Sequence, residues 1–158
     1  KDNLSNFYGF NLSKNLNNFG SIYFSSMFGN SRLDNYQNSL IVDSSRVLSS
    51  SFELNYELKN IIKNDRFNIS LSQPNKVEDG DMTFRFLGLA DKNGILPYQD
   101  HKVNLSPSGR QKDLAFSYHK KYTSNLKTGI KAVFTDDLGH IINNDLNKNL
   151  FLLATYNF

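Results

Sequence analysis

Apolar and polar residues alternate with a period of two along most of this chain. In the segment 51–58 every second residue is apolar, and the residues between them are polar or charged. Successive side chains of a β-strand point to opposite faces, so this alternation predicts a strand with one apolar and one polar face. The apolar face carries Phe52, Leu54, Tyr56 and Leu58, and the polar face carries Ser51, Glu53, Asn55 and Glu57.

The same alternation predicts two antiparallel hairpins. Segment 66–72 follows 51–58 after a turn at 63–65, and segment 126–134 follows 113–121 after a turn at 122–125. Their apolar faces carry Phe67, Ile69, Leu71, Leu114, Phe116, Tyr118, Thr128, Ile130, Ala132 and Phe134. Their polar faces include Arg66, Asn68, Asp113, Ser117, His119, Lys127 and Lys131.

Weaker alternation predicts further strands in the rest of the chain. They lie near residues 6–13, 20–28, 38–43, 82–89, 101–105 and 149–158. No longer stretch carries a convincing helical period, and Pro74, Pro97 and Pro107 fall at predicted strand ends or in loops. We therefore expect an all-β, antiparallel fold in one domain over residues 1–158. Because the first residue is Lys rather than Met, we expect this domain to be the C-terminal part of a longer chain.

Composition excludes several classes of function. The chain has no cysteine, which rules out disulfides, thiolate metal sites and cysteine nucleophiles. Its 18 Lys and Arg residues nearly balance 15 Asp and Glu residues, so nucleic acid is not the expected partner. No apolar run reaches the roughly 18 residues of a membrane helix. Asn and Ser dominate the polar residues, and they suit turns and strands better than helices.

The alternation has two opposite interpretations. In a soluble antiparallel β-sandwich or half-barrel, the apolar face is buried and the charged face meets water. In an up-and-down β-barrel of the outer-membrane type, with about eight to ten strands, the apolar face meets lipid and the charged face lines the lumen. The lipid-facing set is then Phe52, Leu54, Tyr56, Phe67, Ile69, Leu114, Phe116, Tyr118, Ile130 and Phe134. The lumen set is Glu53, Glu57, Arg66, Asp113, Lys127 and Lys131.

The last predicted strand favours the membrane interpretation. The chain ends on an aromatic residue, and counting back by twos gives one apolar face without interruption: Leu150, Leu152, Ala154, Tyr156 and Phe158. This pattern resembles the C-terminal signal by which bacterial outer-membrane barrels are recognised for insertion. It is, in physical terms, a lipid-facing stripe closed by an aromatic residue at the membrane interface.

Three short segments carry a further resemblance. They contain Ser72, Gln73 and Pro74, then Pro107, Ser108, Gly109 and Arg110, and finally Gly139 and His140. In order and rough spacing they resemble the C-terminal β-domain of bacterial subtilisin-like (S8 family) serine peptidases of the autotransporter type. The resemblance covers about residues 65–158. Asn75 and Leu138 depart from the family pattern, which usually has an apolar residue and a proline at these positions.

The resemblance implies a non-catalytic anchor in the outer membrane of a Gram-negative bacterium. Its partners would be outer-membrane lipid, the barrel-assembly machinery and an N-terminal protease passenger in cis, with no cofactor. The barrel is expected to be complete or to lack its first strands. Two alternatives stay open: a soluble β-sandwich module for binding or folding assistance appended to a secreted protease, and a small complete eight-stranded outer-membrane barrel.

Motifs for independent catalysis or metal binding are weak in this sequence. The two Ser-x-x-Lys matches, Ser117–Lys120 and Ser124–Lys127, fall in a predicted hairpin rather than at a helix start. His101, His119 and His140 are scattered, and the acidic turn 78–81 lacks the alternating ligands of a calcium loop. Arg110 is expected to position its loop or to pair with Asp113. We therefore expect no catalytic and no metal residues in this segment.

Overall fold

The computed structural model describes residues 4–17, 20–32, 40–90, 92–142 and 145–157. Within these ranges the chain forms β-strands, turns and a short 3-10 turn at Leu138–His140, with no α-helix. The strands are β1 (Leu4–Asn15), β2 (Ser21–Arg32), β3 (Ile41–Ser44), β4 (Val47–Lys59), β5 (Asp65–Asp79), β6 (Asp81–Leu87), β7 (Tyr98–Asn104), β8 (Lys112–Lys121), β9 (Leu126–Asp136) and β10 (Asn147–Tyr156). Each overlaps a predicted strand, so the all-β prediction is confirmed. Among the described residues there is no helical segment with the length and hydrophobicity of a transmembrane span.

The strands form two antiparallel sheets. The large sheet has the order β1-β2-β4-β5-β8-β9-β10, and the small sheet has the order β3-β6-β7. Both predicted hairpins, β4-β5 and β8-β9, are neighbours in the large sheet. Among the described residues the large sheet ends at β1 and β10, and no closed barrel is detected.

The chain divides into two compact units, and both are discontinuous in sequence. Unit 1 comprises Lys1–Tyr8, Phe28–Ser50 and Lys76–Pro107. Unit 2 comprises Gly9–Met27, Ser51–Asn75 and Ser108–Phe158. Unit 1 contains the small sheet, and unit 2 contains all of β8, β9 and β10. The polar and charged side chains considered below as candidate sites lie mainly in unit 2.

Strand register in unit 2 places the alternating residues in rows across the sheet. One apolar row joins Phe67, Tyr118, Ile130 and Leu152, and the next joins Ile69, Phe116, Ala132 and Leu150. A third row joins Leu71, Leu114 and Phe134, where the Phe116 and Phe134 rings meet edge to face. Because cross-strand neighbours on one face stabilise a sheet through their contacts, these rows explain why the strands pair in this register.

Burial on this sheet is unusually low for apolar side chains. Ala115 is the only hydrophobic residue in the described ranges that is buried, and it pairs with Ser70 and Val133 on the face opposite to the apolar rows. The residues of the apolar rows are all half-buried or exposed. A soluble sandwich would collect them in a dry centre between two layers.

One detail of the strands differs from the sequence prediction. Pro74 lies inside β5 rather than at a strand end, because β5 continues to Asp79. The ladder between β5 and β8 runs only from Asp65 to Ser72, so the missing N–H of Pro74 removes no hydrogen bond to β8. Residues 143–144 and Phe158 lie outside the described residues.

Candidate functional site

The three segments that carry the family resemblance come together in unit 2. The Arg110 guanidinium donates a hydrogen bond from Nη1 to Gln73 Oε1, and the Gly109 N–H donates to the His140 carbonyl at 2.7 Å. His140 Nε2 lies 3.2 Å from the Asn75 carbonyl oxygen. We call this site the polar cluster. It consists of Gln73, Asn75, Ser108, Gly109, Arg110, Gln111, Asp113, Thr135, Asp137, Gly139 and His140.

Gln111 joins the turn before β8 to the turn after β9. Its side-chain Oε1 accepts the Gly139 N–H at 2.8 Å, and its Nε2 donates to Asp113 Oδ2 at 3.0 Å. Its backbone N–H donates to His140 Nδ1 at 3.0 Å. Because a backbone N–H can only donate, His140 Nδ1 is the acceptor, and His140 Nε2 carries the proton that points to the Asn75 carbonyl. The imidazole therefore links β5 to the start of β8.

Asp113 and Arg110 hold different partners. Asp113 Oδ1 accepts the Thr135 hydroxyl at 2.6 Å in addition to the Gln111 amide. Arg110 donates its side chain to Gln73 and its backbone N–H to Asp137 Oδ2 at 3.2 Å. Gln73 is only 1% exposed, so its hydrogen bonds lie out of water, where an unpaired amide is costly. Of the two expectations for Arg110, these contacts match a role in positioning its loop.

The backbone of the polar cluster requires unusual geometry. Asp137, Gly139 and His140 all have left-handed φ values, of 49°, 70° and 60°. A Cβ on Gly109 would lie 2.8 Å from the Ile142 nitrogen and 2.9 Å from the Ile141 carbonyl carbon, which is too close for any side chain. Ile142 N also donates to the Ser108 hydroxyl at 3.3 Å. Ser108, Gly109 and Arg110 therefore hold the turn that follows β9.

The chemistry available to the polar cluster is hydrogen bonding between turns. Its histidine is occupied on both ring nitrogens by backbone groups, and its carboxylates accept from amides and a hydroxyl. In the described part of the chain, no group of three His, Asp or Glu side chains is placed to hold a metal ion. The arrangement suits a cluster that fixes the end of the sheet.

No protein-family model, no curated protein and no solved structure matches this chain. The resemblance to the autotransporter β-domain therefore depends on its three segments. Their convergence gives those segments a shared physical role: each supplies a group that another segment needs for its hydrogen bonding.

The residues of the predicted C-terminal signal lie on the edge strand β10. Leu150, Leu152 and Tyr156 are 66%, 79% and 58% exposed, and Ala154 is exposed as well. Phe158 falls outside the described residues. The other predicted lipid-facing residues, Phe52, Leu54, Tyr56, Phe67, Ile69, Leu114, Phe116, Tyr118, Ile130 and Phe134, are half-buried or exposed on strands β4, β5, β8 and β9.

The predicted lumen residues are only partly brought together. Glu57 accepts from Arg66 at 3.2 Å and from Lys59 at 2.9 Å, which forms a charged triad between β4 and β5. Glu53 accepts an amide hydrogen bond from Asn55. Asp113 belongs to the polar cluster, while Lys131 pairs in register with Ser117 and Phe151. Lys127 lies directly opposite Lys121.

Two features of the large sheet were not predicted from the sequence. The first is the exposure of every residue of β1, including Leu4, Phe7, Tyr8, Phe10 and Leu12, although a strand was predicted near residues 6–13. The second is the set of cations at the hairpin turns, which includes Lys120, Lys121 and Lys127. The sequence feature that could have predicted this set is that each lysine lies next to a predicted turn. Hairpin turns bring residues of distant segments to one end of a sheet.

Charges on the small sheet are paired across strands. Arg85 and Asp100 are directly opposite and form a bidentate pair, with both N···O distances at 2.7 Å. The hydrogen bonds from Arg85 lower the pKa of the Asp100 carboxyl below its ordinary value. Lys102 similarly lies 2.8 Å from Asp81. Both pairs are largely exposed, so each contributes little to stability.

Proposed function

We propose that this chain is a membrane-anchoring β-domain of a subtilisin-like autotransporter serine protease, located in the outer membrane of a Gram-negative bacterium. The domain itself has a mechanical role, and the protease activity belongs to a passenger N-terminal to it. The three-segment resemblance and the exposed apolar strand faces support this assignment.

The main support for this proposal is that long strands carry apolar side chains that are half-buried or exposed. The seven strands of the large sheet are 10 to 15 residues long. A strand that crosses a membrane at a tilt needs about 9–11 residues. The strands that are too short for a crossing, β3, β6 and β7 at 4 to 7 residues, all belong to the small sheet. In the proposal the seven long strands of the large sheet cross the membrane.

Lipid would remove the cost of the exposed apolar rows. Burying a Leu side chain is worth about 1.5–3 kcal/mol, and Leu150 and Leu152 keep most of their surface exposed. The backbone ladders satisfy the amides within the sheet, as the hydrocarbon core demands. The edges β1 and β10 then require strand partners, because an unpaired edge in lipid leaves amides unsatisfied. Strands from the rest of the protein, or a closure formed by the barrel-assembly machinery, would supply them.

Turn lengths support an orientation. The turns at 60–64 and 122–125 are short, and they lie at the end of the sheet where Tyr156 pairs with Leu126. Lys121 N donates to the Asn64 carbonyl at 3.0 Å, which places both turns side by side. Outer-membrane barrels have short turns on the periplasmic side and longer loops outside. We therefore place this end, which we call the short-turn end, in the periplasm.

Neighbouring leucines of β10 allow a direct test. Leu152 pairs with Ile130 on the apolar face, and Leu153 pairs with Gly129 on the opposite face. Because the chain has no native cysteine, Leu152→Cys and Leu153→Cys can each carry one environment-sensitive fluorophore. In vesicles made with brominated lipids, we expect strong quenching at position 152 and weak quenching at position 153.

The alternatives give different results in the same experiment. Equal, weak quenching at both positions, with the chain folded and monomeric in plain buffer, would reject the membrane proposal and favour the soluble module. Face-specific quenching by a chain that assembles without any upstream segment would favour the small complete barrel. Because both positions hold leucine and are adjacent in β10, neither the side-chain type nor the position along the strand can explain a difference in quenching between them.

A further inference from the structure

A basic cleft lies at the short-turn end of unit 2. It has a volume of about 610 Å³. The side chains around it come from β4, β5, β8, β9 and the turn between β4 and β5. The lining residues are Lys59, Asn60, Asn64, Asp65, Arg66, His119, Lys120, Lys121 and Lys127.

The cleft has more cations than the carboxylates near it can neutralise. Lys59 and Arg66 share the single carboxylate of Glu57. Asp65 is buried, and its Oδ2 accepts hydrogen bonds from the Ile62 N–H at 2.9 Å and the Tyr118 hydroxyl at 3.0 Å. Lys120 lies directly opposite Asp65, on the face of the apolar rows. On the other face, Lys121 and Lys127 add positive charge that these two acidic residues do not balance.

Lys121 and Lys127 form a like-charged pair directly across β8 and β9. Within the described residues neither ammonium group takes part in an ion pair. Like charges opposite each other destabilise an antiparallel pair. At the other end of the same hairpin the opposed pair is Lys112 and Asp136, which have opposite charges. A local arrangement that opposes folding is typical of a site retained for binding.

We propose that the basic cleft binds an acidic polypeptide segment. Its cations are spread over four adjacent strands, and neighbouring strands are about 4.8 Å apart, so the row is about 15 Å long. An extended segment of about five residues spans that distance and can present up to three carboxylates on the side that faces the cations. A single phosphate would contact only part of the row. Clefts lined by one sign of charge also attract oppositely charged partners over a distance.

The position of the cations favours a polypeptide over a lipid headgroup. Lys121 and Lys127 pair in register with each other, and Arg66 pairs with His119, on the face opposite to the apolar rows. The apolar rows are the surface that lipid tails would cover. This inference does not depend on the proposed membrane function, because the same cations could bind an acidic segment if the chain were a soluble module.

Binding can be measured on the purified 158-residue chain in a non-ionic detergent. The probe is a fluorescein-labelled peptide of about ten residues with alternating Glu and Ser, which is extended and acidic. The control probe has Gln in place of Glu. We expect fluorescence anisotropy to report saturable binding of the Glu peptide only. The affinity should fall when sodium chloride rises from about 50 mM to about 300 mM, because exposed charges are screened.

A matched pair of variants tests the location. Lys121→Gln with Lys127→Gln should weaken Glu-peptide binding about fivefold, the effect of losing two exposed ion pairs. Lys112→Gln with Lys148→Gln removes the same charge from the opposite end of β8 and β10 and should leave the affinity unchanged. Both double variants remove exposed charge and are expected to unfold in the same temperature range as the parent.

Each other outcome overturns the proposal. Equal weakening by the two double variants would mean that net charge alone attracts the peptide. Absence of binding by the Glu peptide would mean that the cleft is only a solvated surface. Tighter binding of inorganic phosphate, or of phosphatidylglycerol added to the detergent micelles, would assign the cleft to phosphate instead.

Discussion

The two ends of the large sheet in unit 2 are both polar, but their polar groups are paired in different ways. At the end that contains the polar cluster, an amide, a guanidinium, an imidazole and two carboxylates are joined by hydrogen bonds across three chain segments. At the short-turn end, lysines from neighbouring strands face each other. The groups of the polar cluster have their partners inside the chain. The lysines of the short-turn end keep positive charge that a partner outside the chain can bind.

The comparison teaches where polar residues stabilise this fold and where they do not. Buried polar groups that are satisfied rigidify a structure, and the same groups become costly when one partner is removed. Exposed like charges are tolerated at a small cost, which a bound ligand can offset. We therefore expect substitutions in the polar cluster to change stability and substitutions at the short-turn end to change binding.

The largest expected effect is from Gly109→Ala. The new Cβ would clash with backbone atoms of Ile141 and Ile142, so the turn after β9 must move and its hydrogen bonds to His140 and Asp137 must weaken. We expect a loss of about 2 kcal/mol in the free energy of unfolding, measured by urea titration in detergent. The control is Gly9→Ala, where the nearest atom to the new Cβ is the Ser26 oxygen at 3.9 Å. Similar stability of both variants would show that the close approach at Gly109 is unimportant.

A smaller loss is expected from Gln73→Leu. Leucine keeps the volume but removes the amide oxygen that accepts from Arg110, in a place that water does not reach. We expect about 1–2 kcal/mol of destabilisation by the same titration. Gln99→Leu, at an exposed position of β7, is the control and should change stability by less than about 0.5 kcal/mol. If Gln73→Leu is neutral, the buried amide contributes nothing to this end of the sheet.

The smallest effect distinguishes the two ends directly. Lys121→Glu places a carboxylate opposite Lys127 and should stabilise the chain by about 0.5 kcal/mol, because repulsion becomes attraction. Lys112→Glu, at the other end of β8, places a carboxylate opposite Asp136 and should destabilise it by a similar amount, about 0.5 kcal/mol. Chemical denaturation at low salt measures both. A loss of stability in both variants would show that Lys121 has an internal partner.

Strand content and strand faces could be predicted from the sequence because they are local properties. Alternation over 51–58, 66–72, 113–121 and 126–134 reports the two-residue period of the backbone, and the structure has strands at all four places. Pro74 was misplaced because the prediction ended β5 early, and only the register shows that no hydrogen bond to β8 is lost there. The resemblance selected Gln73, Gly109, Arg110 and His140, but nothing local indicated that they contact one another.

By itself, the sequence determined that this protein is built of antiparallel strands with one apolar and one polar face, because side-chain alternation follows from backbone geometry. It also determined which charges sit at the ends of strands. The tertiary structure decided that the apolar rows stay half-buried or exposed, that three distant segments form one hydrogen-bonded cluster, and that lysines of two strands oppose each other. The physical reason is that strand register, which no local pattern fixes on its own, sets which side chains become neighbours.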